Sequence, residues 1–273
     1  MGEIHATAII EAGAELGVGV RIGPYCVIGA KARIGDRAWL VSHAAVGGHT
    51  TIGADCVIHP FVSLGGPPQH LRYQGEDVEL IVGARTIMRE HVTMNAGTPF
   101  GRAKTEIGDD GFFMTGSHVA HDCVVGHHAN FANNAVIGGH VELGNHVTLG
   151  GNSAVHQFVR IGDHAFVGGM TGVENDVIPF GSCIGDRAEL AGLNVVGLKR
   201  RGFSRETIHK IRNACLALFG GSGPFAQRVE HVATQFSDVP EAMQIVSFIR
   251  AGGHRRLVMP REGRWSKTSD DTE

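Results

Sequence analysis

The sequence predicts a mainly β fold, a parallel β-helix of six-residue repeats followed by a C-terminal α-helical cap. Two observations predict the β-helix: an aliphatic residue recurs every six positions over most of the chain, and glycine makes up 40 of the 273 residues. A third predicts the cap, because the apolar spacing changes to three and four residues beyond residue 203. An α-helix repeats its apolar residues at three and four positions, whereas a strict period of six is typical of short strands joined by tight turns.

The six-residue period runs over 4–64, returns over 82–94 and resumes over 107–173. A small residue often lies four positions after the aliphatic one, so large and small inward side chains alternate and fill a narrow interior. Glycine often follows the aliphatic residue, and we expect it to supply turn conformations that other residues avoid. Two insertions, 65–81 and 100–106, interrupt the pattern and are expected to be loops that grip ligands.

The period fades near residue 181, so we assign residues 1–200 to the β-helix and 201–251 to the helical cap. Ser204 is expected to start a helix that ends at Gly220, with further helices near 225–235 and 240–250. Residues 252–273 mix Gly, Arg, Ser and Asp without a period, and we expect a flexible tail there.

Composition and charge exclude several classes of protein. The net charge of −3 provides no basic surface for nucleic acid. No stretch of about 18 residues is mainly apolar, so neither a membrane span nor an export signal is expected. The five cysteines are far apart and show no CxxC spacing, which favours a reducing cytoplasm. Four of them occupy the small inward slot and are predicted to be core residues rather than nucleophiles: Cys26, Cys56, Cys123 and Cys183.

Three of the 17 histidines recur at similar intervals. His121, His140 and His156 are 19 and 16 residues apart. Asp122 follows His121 directly, and a carboxylate beside an imidazole can fix its tautomer and stabilise the imidazolium that forms during proton transfer. His121 is therefore predicted to be a general base.

Several longer motifs carry a resemblance to a known family. They are His118-Val119-Ala120-His121-Asp122-Cys123, Ala132-Asn133-Asn134-Ala135, Gly139-His140, Ala154-Val155-His156-Gln157-Phe158 and the segment from Gly197 to Arg205, GLKRRGFSR. With the hexads, they make the chain similar to the UDP-N-acetylglucosamine acyltransferases of lipid A biosynthesis, which are hexapeptide-repeat enzymes of Gram-negative bacteria. The resemblance implies a left-handed β-helix, although the general rule for parallel strand crossovers would give the opposite hand. It also implies three hexads, or 18 residues, per triangular coil, so His121, His140 and His156 should lie along one edge.

The resemblance also implies an activity and roles for residues. The family transfers an (R)-3-hydroxyacyl group from acyl carrier protein to the sugar 3-hydroxyl, in a homotrimer with active sites between subunits. By the resemblance, His121 is the base, Asp122 orients it and the Gly139 N–H holds the oxyanion, with neither metal nor other cofactor. The implied substrate-binding residues are Arg72, Tyr73, Asn95, His118, His140, His156, Gln157, Asn194, Arg200 and Arg201. The implied acyl-chain ruler is Gly169, with Met170 beside it.

The chain departs from the family at several positions, including Arg72 for a usual Lys, His70 for an acidic residue and Asn95 for a usual His. The change at Asn95 suggests an alternative acceptor, the 3-amine of a 3-amino analogue of UDP-N-acetylglucosamine, which would give an amide. More remote alternatives are a β-helical zinc carbonic anhydrase, a purely structural β-helix and an acetyl-CoA-dependent relative. The first of these fits the GLKRRGFSR segment poorly, and regular Thr arrays expected for the second are lacking.

Overall fold

The computed structural model describes residues 3–261 and residue 265. The parts of the predicted tail and N-terminus at 1–2, 262–264 and 266–273 lie outside the described residues. Within them the strands are β1 Glu3–Ile4, β2 Ile9–Ile10, β3 Glu15–Leu16, β4 Arg21–Ile22, β5 Val27–Ile28, β6 Arg33–Ile34, β7 Trp39–Leu40, β8 Ala45–Val46, β9 His49–Ile52, β10 Val57–Ile58, β11 Ser63–Gly66, β12 Glu79–Val82, β13 Ile87–Met88, β14 Thr93–Asn95, β15 Lys104–Ile107, β16 Phe112–Phe113, β17 His118–Val119, β18 Val124–Val125, β19 Asn130–Phe131, β20 Val136–Ile137, β21 Glu142–Leu143, β22 Thr148–Leu149, β23 Ala154–Val155, β24 Arg160–Ile161, β25 Phe166–Val167, β26 Gly172–Val173, β27 Gly181–Ile184 and β28 Glu189–Leu193.

Up to β26, successive strands lie on three faces of a prism, so every third strand belongs to the same sheet. The first face runs β1-β4-β7 and onward, the second β2-β5-β8 and the third β3-β6-β9, and neighbouring strands of each face pair in parallel over this range. Register follows the predicted coil length: Ile4 pairs with Ile22 and Ile22 with Leu40. The aliphatic residues point inward and form one continuous core. The predicted mainly β fold with a helical cap is confirmed.

The prism has three corners, defined here by the faces they join. The first corner joins faces one and two, the second joins faces two and three, and the third joins faces three and one. Both insertions leave the prism at the second corner, since β11 and β14 lie on face two and β12 and β15 on face three. Their predicted limits need correction, because the loops are 67–78 and 96–103. Strands β12 and β15 pair over four residues each, so the sheet takes up chain that the hexad pattern leaves unassigned.

The glycines serve a different purpose from the one expected. Gly35 and Gly126 do not have a positive φ, but a Cβ on either would lie 2.7 Å or less from backbone of the next coil. They therefore permit close stacking of coils. The left-handed backbone conformation occurs two residues after these glycine positions instead, where larger residues such as Tyr25 at the first corner (φ 58°) and His146 at the third corner (φ 58°) adopt it.

The cap begins earlier than predicted. Strand β28 turns back antiparallel on β27, and the helices are α1 Val195–Arg200, α2 Arg205–Phe219, α3 Phe225–Gln235 and α4 Pro240–Arg250. Helix α1 lies wholly before the predicted boundary at residue 201. Asn194 caps it by accepting a hydrogen bond from the Gly197 N–H at 3.0 Å. Ser204 caps α2 in the same way.

The C-terminal segment does not leave the molecule at residue 252 as the predicted tail would. Leu257 forms a parallel bridge with Asp176, which belongs to the last coil. Asp176 donates its N–H to the Arg256 carbonyl at 2.7 Å and accepts from the Val258 N–H at 2.8 Å. No helix among the described residues is both long and apolar enough to cross a membrane.

Candidate active site

His121 and Asp122 form a hydrogen-bonded pair at the second corner. They follow strand β17, and the His121 Nδ1 lies 2.8 Å from the Asp122 Oδ2. Asp122 has φ 60° and is fully buried, while His121 is 9% exposed. Because an ionised carboxylate can only accept, the proton on His121 lies on Nδ1 and its Nε2 has a free lone pair. This is the arrangement that a general base requires.

The loop 96–103 surrounds the Asp122 carboxylate with donors. Oδ1 accepts from the Thr98 N–H at 3.0 Å and the Arg102 N–H at 2.7 Å. Oδ2 accepts from the Thr98 hydroxyl at 2.6 Å. Gly101 packs on the carboxylate so closely that a Cβ there would lie 2.5 Å from its carbon. The second insertion therefore positions the His121–Asp122 pair, a role that the sequence did not reveal.

These bonds keep Asp122 ionised despite its burial. Burial alone would raise the pKa of its carboxyl, but the hydrogen bonds from His121, from the Thr98 side chain and backbone and from the Arg102 backbone lower it to about 2. Cys123 next to it behaves in the opposite way, since burial raises the pKa of that thiol to about 12. A thiol so strongly protonated is not a nucleophile near neutral pH.

Gly139 lies against the His121 ring. A Cβ at this position would be 2.5 Å from the His121 Cε1 and 2.8 Å from its Nε2, so only glycine leaves room for the imidazole in this position. At other corners the N–H of the equivalent residue, the second after the inward aliphatic one, donates to a side chain of a neighbouring coil. His127 donates in this way to Asn145 at 2.8 Å. Within the described part of the chain, the Gly139 N–H has no such acceptor. It is available to a ligand beside the base.

The other predicted residues of face two and the second corner lie close to this pair. The His140 Nε2 is 3.7 Å from the Asp122 Oδ2, and the two imidazoles meet edge to face at 5.2 Å. The His118 Nδ1 bonds the Thr93 hydroxyl at 2.7 Å, and burial lowers the pKa of His118 and of His140. His156 and Gln157 occupy the same corner one coil further on.

Loop 67–78 covers the site from the N-terminal side. His70 contacts the His121 ring at 5.4 Å and the Phe100 ring at 4.6 Å, and the Arg72 guanidinium lies over Phe100 at 4.2 Å. Tyr73 donates its hydroxyl to the Glu76 carbonyl, within the same loop.

Asn95 fixes the base of that loop by donating to the Pro67 carbonyl at 3.1 Å. Its buried Oδ1 has no partner among the described residues. A buried acceptor without a donor costs free energy, so this oxygen is suited to a ligand that donates.

Five predicted residues lie elsewhere on the same chain. Asn194 bonds the His164 carbonyl at the third corner. Arg200 and Arg201 belong to the end of α1, and Arg201 contributes with burial to lowering the pKa of His164 to about 4. Gly169 and Met170 lie at the first corner, where Met170 is 71% exposed. A single chain therefore does not bring these residues to His121.

Among the described residues, one group of three side chains is close enough to share a metal ion. The possible ligand atoms of His121, Asp122 and His140 all lie within 4.8 Å of one another. Two of the three side chains already bond each other, so the group has the geometry of a base and its orienting carboxylate.

Comparison with known proteins agrees with this geometry. The model of the family "Udp N-acetylglucosamine O-acyltransferase; Domain 2" matches residues 176–258. An acyl-[acyl-carrier-protein]–UDP-N-acetylglucosamine O-acyltransferase of Caulobacter vibrioides is 54% identical over 208 residues, which are 76% of this chain and 79% of that protein. This chain belongs to the UDP-N-acetylglucosamine O-acyltransferase family. A namesake from Rhizobium johnstonii is 43% identical over 260 residues, covering 95% of this chain and 96% of the other.

Solved structures of the UDP-N-acetylglucosamine acyltransferase family share the fold over nearly the whole chain. The enzyme from Campylobacter jejuni superposes with a TM-score of 0.90 at 32% identity, covering 95% of this chain and 100% of that one. The enzyme from Francisella novicida gives 0.92 at 29% identity, with 99% of each chain covered. The resemblance to this acyltransferase family is confirmed, whereas the carbonic anhydrase and the structural β-helix are not supported. The relatives' names describe O-acyltransferases, so an amine acceptor is not favoured.

Proposed function

We propose that this enzyme transfers an (R)-3-hydroxyacyl group from acyl carrier protein to the 3-hydroxyl of UDP-N-acetylglucosamine, the first step of lipid A biosynthesis. The observation that supports it best is the His121–Asp122 pair beside Gly139, on a chain of the UDP-N-acetylglucosamine O-acyltransferase family. The free Nε2 of His121 takes the proton of the sugar hydroxyl while its oxygen attacks the thioester carbon. The Gly139 N–H stabilises the negative charge that develops on the thioester oxygen.

Collapse of the tetrahedral intermediate then breaks the carbon–sulfur bond. Protonated His121 returns its proton to the leaving thiol, and Asp122 stabilises the imidazolium in between. The products are the sugar ester and the free carrier-protein thiol. These reaction steps use no metal ion, and metal analysis of the active protein tests that part of the proposal.

We infer that the active unit is a homotrimer with sites between subunits. Asn194, Arg200 and Arg201 lie at the third corner, so only a second copy of the chain can supply them to the second corner that carries His121. We also infer a cytoplasmic location, which the five free, buried cysteines support because a reducing compartment keeps thiols unpaired.

A transfer assay with defined acyl carrier protein thioesters and UDP-N-acetylglucosamine tests the activity. The wild type should form the 3-O-acyl product, and His121→Ala should lower kcat by about 10²- to 10⁴-fold because the base is lost. The melting temperature should fall modestly, because the buried Asp122 carboxylate loses one of its hydrogen-bond donors. His5→Ala, in the first coil, is the matched control. A His121→Ala variant that keeps more than about a tenth of kcat would assign the base to another residue.

A further inference from the structure

The C-terminal segment 252–258 returns to the second corner, at the far end of the active site from loop 67–78. Its path is fixed by the buried ion pair between Arg160 and Asp176, whose Nη2 and Oδ2 are 2.7 Å apart. Asp176 is fully buried and bonds the backbone of the segment on both sides of Leu257. Gly253 packs against this pair so closely that a Cβ would lie 2.6 Å from either side chain.

This segment places two side chains on the coil that follows His140. The His254 ring contacts Phe158 at 5.2 Å, and Phe158 stacks on His140 at 4.5 Å. The Arg255 Nη2 lies 2.7 Å from the His156 Nδ1, and its Nε donates to the Gln157 carbonyl at 3.2 Å. A continuous row of rings therefore connects His121 to the C-terminal segment and ends at His254, the residue before Arg255.

The charge of Arg255 is not neutralised within the chain. No carboxylate of the described residues lies within ion-pair distance of its guanidinium, and the two groups that hold it, an imidazole nitrogen and a carbonyl, are neutral acceptors. Its Nη1 makes no hydrogen bond to the described residues. The guanidinium donates to the His156 Nδ1, so the proton of His156 lies on Nε2 and provides a further donor. A held guanidinium with free N–H groups and no counter-charge is suited to a phosphate.

We propose that Arg255 is a substrate-contacting residue that binds a phosphate group, and that the C-terminal segment forms the outer wall of the active site. This inference rests on the proposed function, because both of its substrates carry phosphate. The sugar nucleotide has a diphosphate, and the donor thioester is attached to its carrier protein through a phosphodiester. The chemistry at Arg255 is the same for both, and the experiment separates them.

The test compares Arg255→Gln and Arg255→Lys with Arg256→Gln, a control that removes the same charge at the next, exposed position. KM and kcat are measured for UDP-N-acetylglucosamine and for two truncated donors, acyl-phosphopantetheine and acyl-pantetheine. Arg255→Gln should raise one KM by about 10-fold, the usual cost of a charge-assisted hydrogen bond, with kcat within about twofold. Arg255→Lys should recover part of that loss, and Arg256→Gln should match the wild type.

The pattern of KM values identifies the phosphate. A change confined to the sugar nucleotide assigns Arg255 to the diphosphate, whereas a change with acyl-phosphopantetheine but not with acyl-pantetheine assigns it to the donor. KM values of Arg255→Gln equal to those of Arg256→Gln would overturn the proposal and leave Arg255 as an anchor of the segment. Equal losses with acyl-pantetheine and acyl-phosphopantetheine, together with a lower melting temperature and no recovery in Arg255→Lys, would overturn it too.

Failure of the proposed function can be recognised separately. If the wild type transfers no acyl group, the activity is wrong whatever Arg255 does. Calorimetric titration of the wild type and Arg255→Gln with UDP and with phosphopantetheine then tests the phosphate contact without turnover. Weaker binding of one ligand to Arg255→Gln supports the contact, and equal binding of both ligands overturns it.

Discussion

The Asp122 carboxylate is a buried charge whose stability depends on the residues of one loop. Its two oxygens accept hydrogen bonds from the His121 ring, the Thr98 hydroxyl and the backbone N–H groups of Thr98 and Arg102. A carboxylate stays ionised when buried only if hydrogen-bond donors of the protein replace the water around its oxygens. Thr98 contributes two of them, so we expect it to act through Asp122 as a positioning residue.

Replacing Thr98 with Val keeps the shape of the side chain and removes one donor. We expect Thr98→Val to lower the free energy of unfolding by about 2 kcal/mol and kcat by about 10-fold, since a hydrogen bond to a charged group is lost. The pKa of Asp122 should rise from its present value of about 2. Stability from this ionised group is present above the unfolded pKa and is lost as the pH falls through the folded one, so acid unfolding should begin at a higher pH.

Thr98→Ser, which retains the hydroxyl, is the matched control and should behave like the wild type. Denaturant unfolding between pH 3 and pH 7 and the rate of acyl transfer are the measurements. Wild-type kcat in Thr98→Val would mean that the backbone N–H groups alone hold Asp122.

The sequence predicts the His121–Asp122 pair but not the residues that hold it in place. His121 and Asp122 are neighbours in the chain, so their contact follows from local geometry. Thr98 is 24 residues from Asp122 and lies in an irregular loop, where no period relates sequence to position. Arg255 lies still further away, in a segment whose composition predicted a flexible tail.

At the scale of elements, the third corner carries a stack of imidazoles. His128, His146 and His164 occupy equivalent positions in successive coils, with ring centroids 4.5 and 4.8 Å apart, and Phe180 continues the stack at 5.6 Å. Burial first, and Arg201 and His146 next, lower the pKa of His164 to about 4, while Asp163 opposes them. Burial also lowers the pKa of His146, so the His146 and His164 rings are neutral near pH 7.

This stack makes the fold sensitive to acid. In the unfolded chain the pKa of His164 is about 6.5, the unperturbed value, whereas in the folded chain it is about 4. Between these values the unfolded state binds more protons, so the free energy of unfolding falls as the pH falls, by up to about 3 kcal/mol. His164→Phe should flatten this dependence, because Phe stacks without titrating.

Denaturant unfolding at pH 4.5 and pH 7.5 measures the difference. His209→Phe, at an exposed position of α2, is the control and should keep the wild-type slope. An unchanged slope in His164→Phe would place the acid sensitivity in another group.

The hexad pattern predicts the elements well where side chains alternate between core and solvent. It places the aliphatic residue of most strands from β1 to β26 at a buried or partly buried position, because each coil repeats the same inward geometry. It does not predict the four-residue length of β12 and β15, and it does not predict helix α1. The two strands are lengthened by pairing with their neighbours, and the helix depends on a cap at Asn194 rather than on periodicity.

At the scale of the whole molecule, the proposed trimer divides each active site between two chains. One chain supplies the second corner with His121, and the next supplies the third corner with Arg201. Two inactive variants, His121→Ala and Arg201→Gln, should therefore complement each other when refolded together. Random mixing leaves about a quarter of the sites with both halves intact, so activity should rise toward about a quarter of the wild type.

Mixing His121→Ala with Asp122→Asn is the matched control. Both defects lie on the same side of the site, so no interface regains two intact halves and activity should stay low. Activity of the first mixture equal to the mean of its two parents would show that Arg201 does not serve the site of a neighbouring chain.

Both insertions leave the prism at the second corner, and this limits how such a chain can change in length. One residue added within a face would turn every later side chain of that strand from the core to the solvent. Residues added at a corner leave the next face in register, as 67–78 and 96–103 do. The corner that tolerates growth is also the corner that carries the base. We therefore expect insertions and deletions accepted during evolution to reshape substrate selection while leaving the coil stack unchanged.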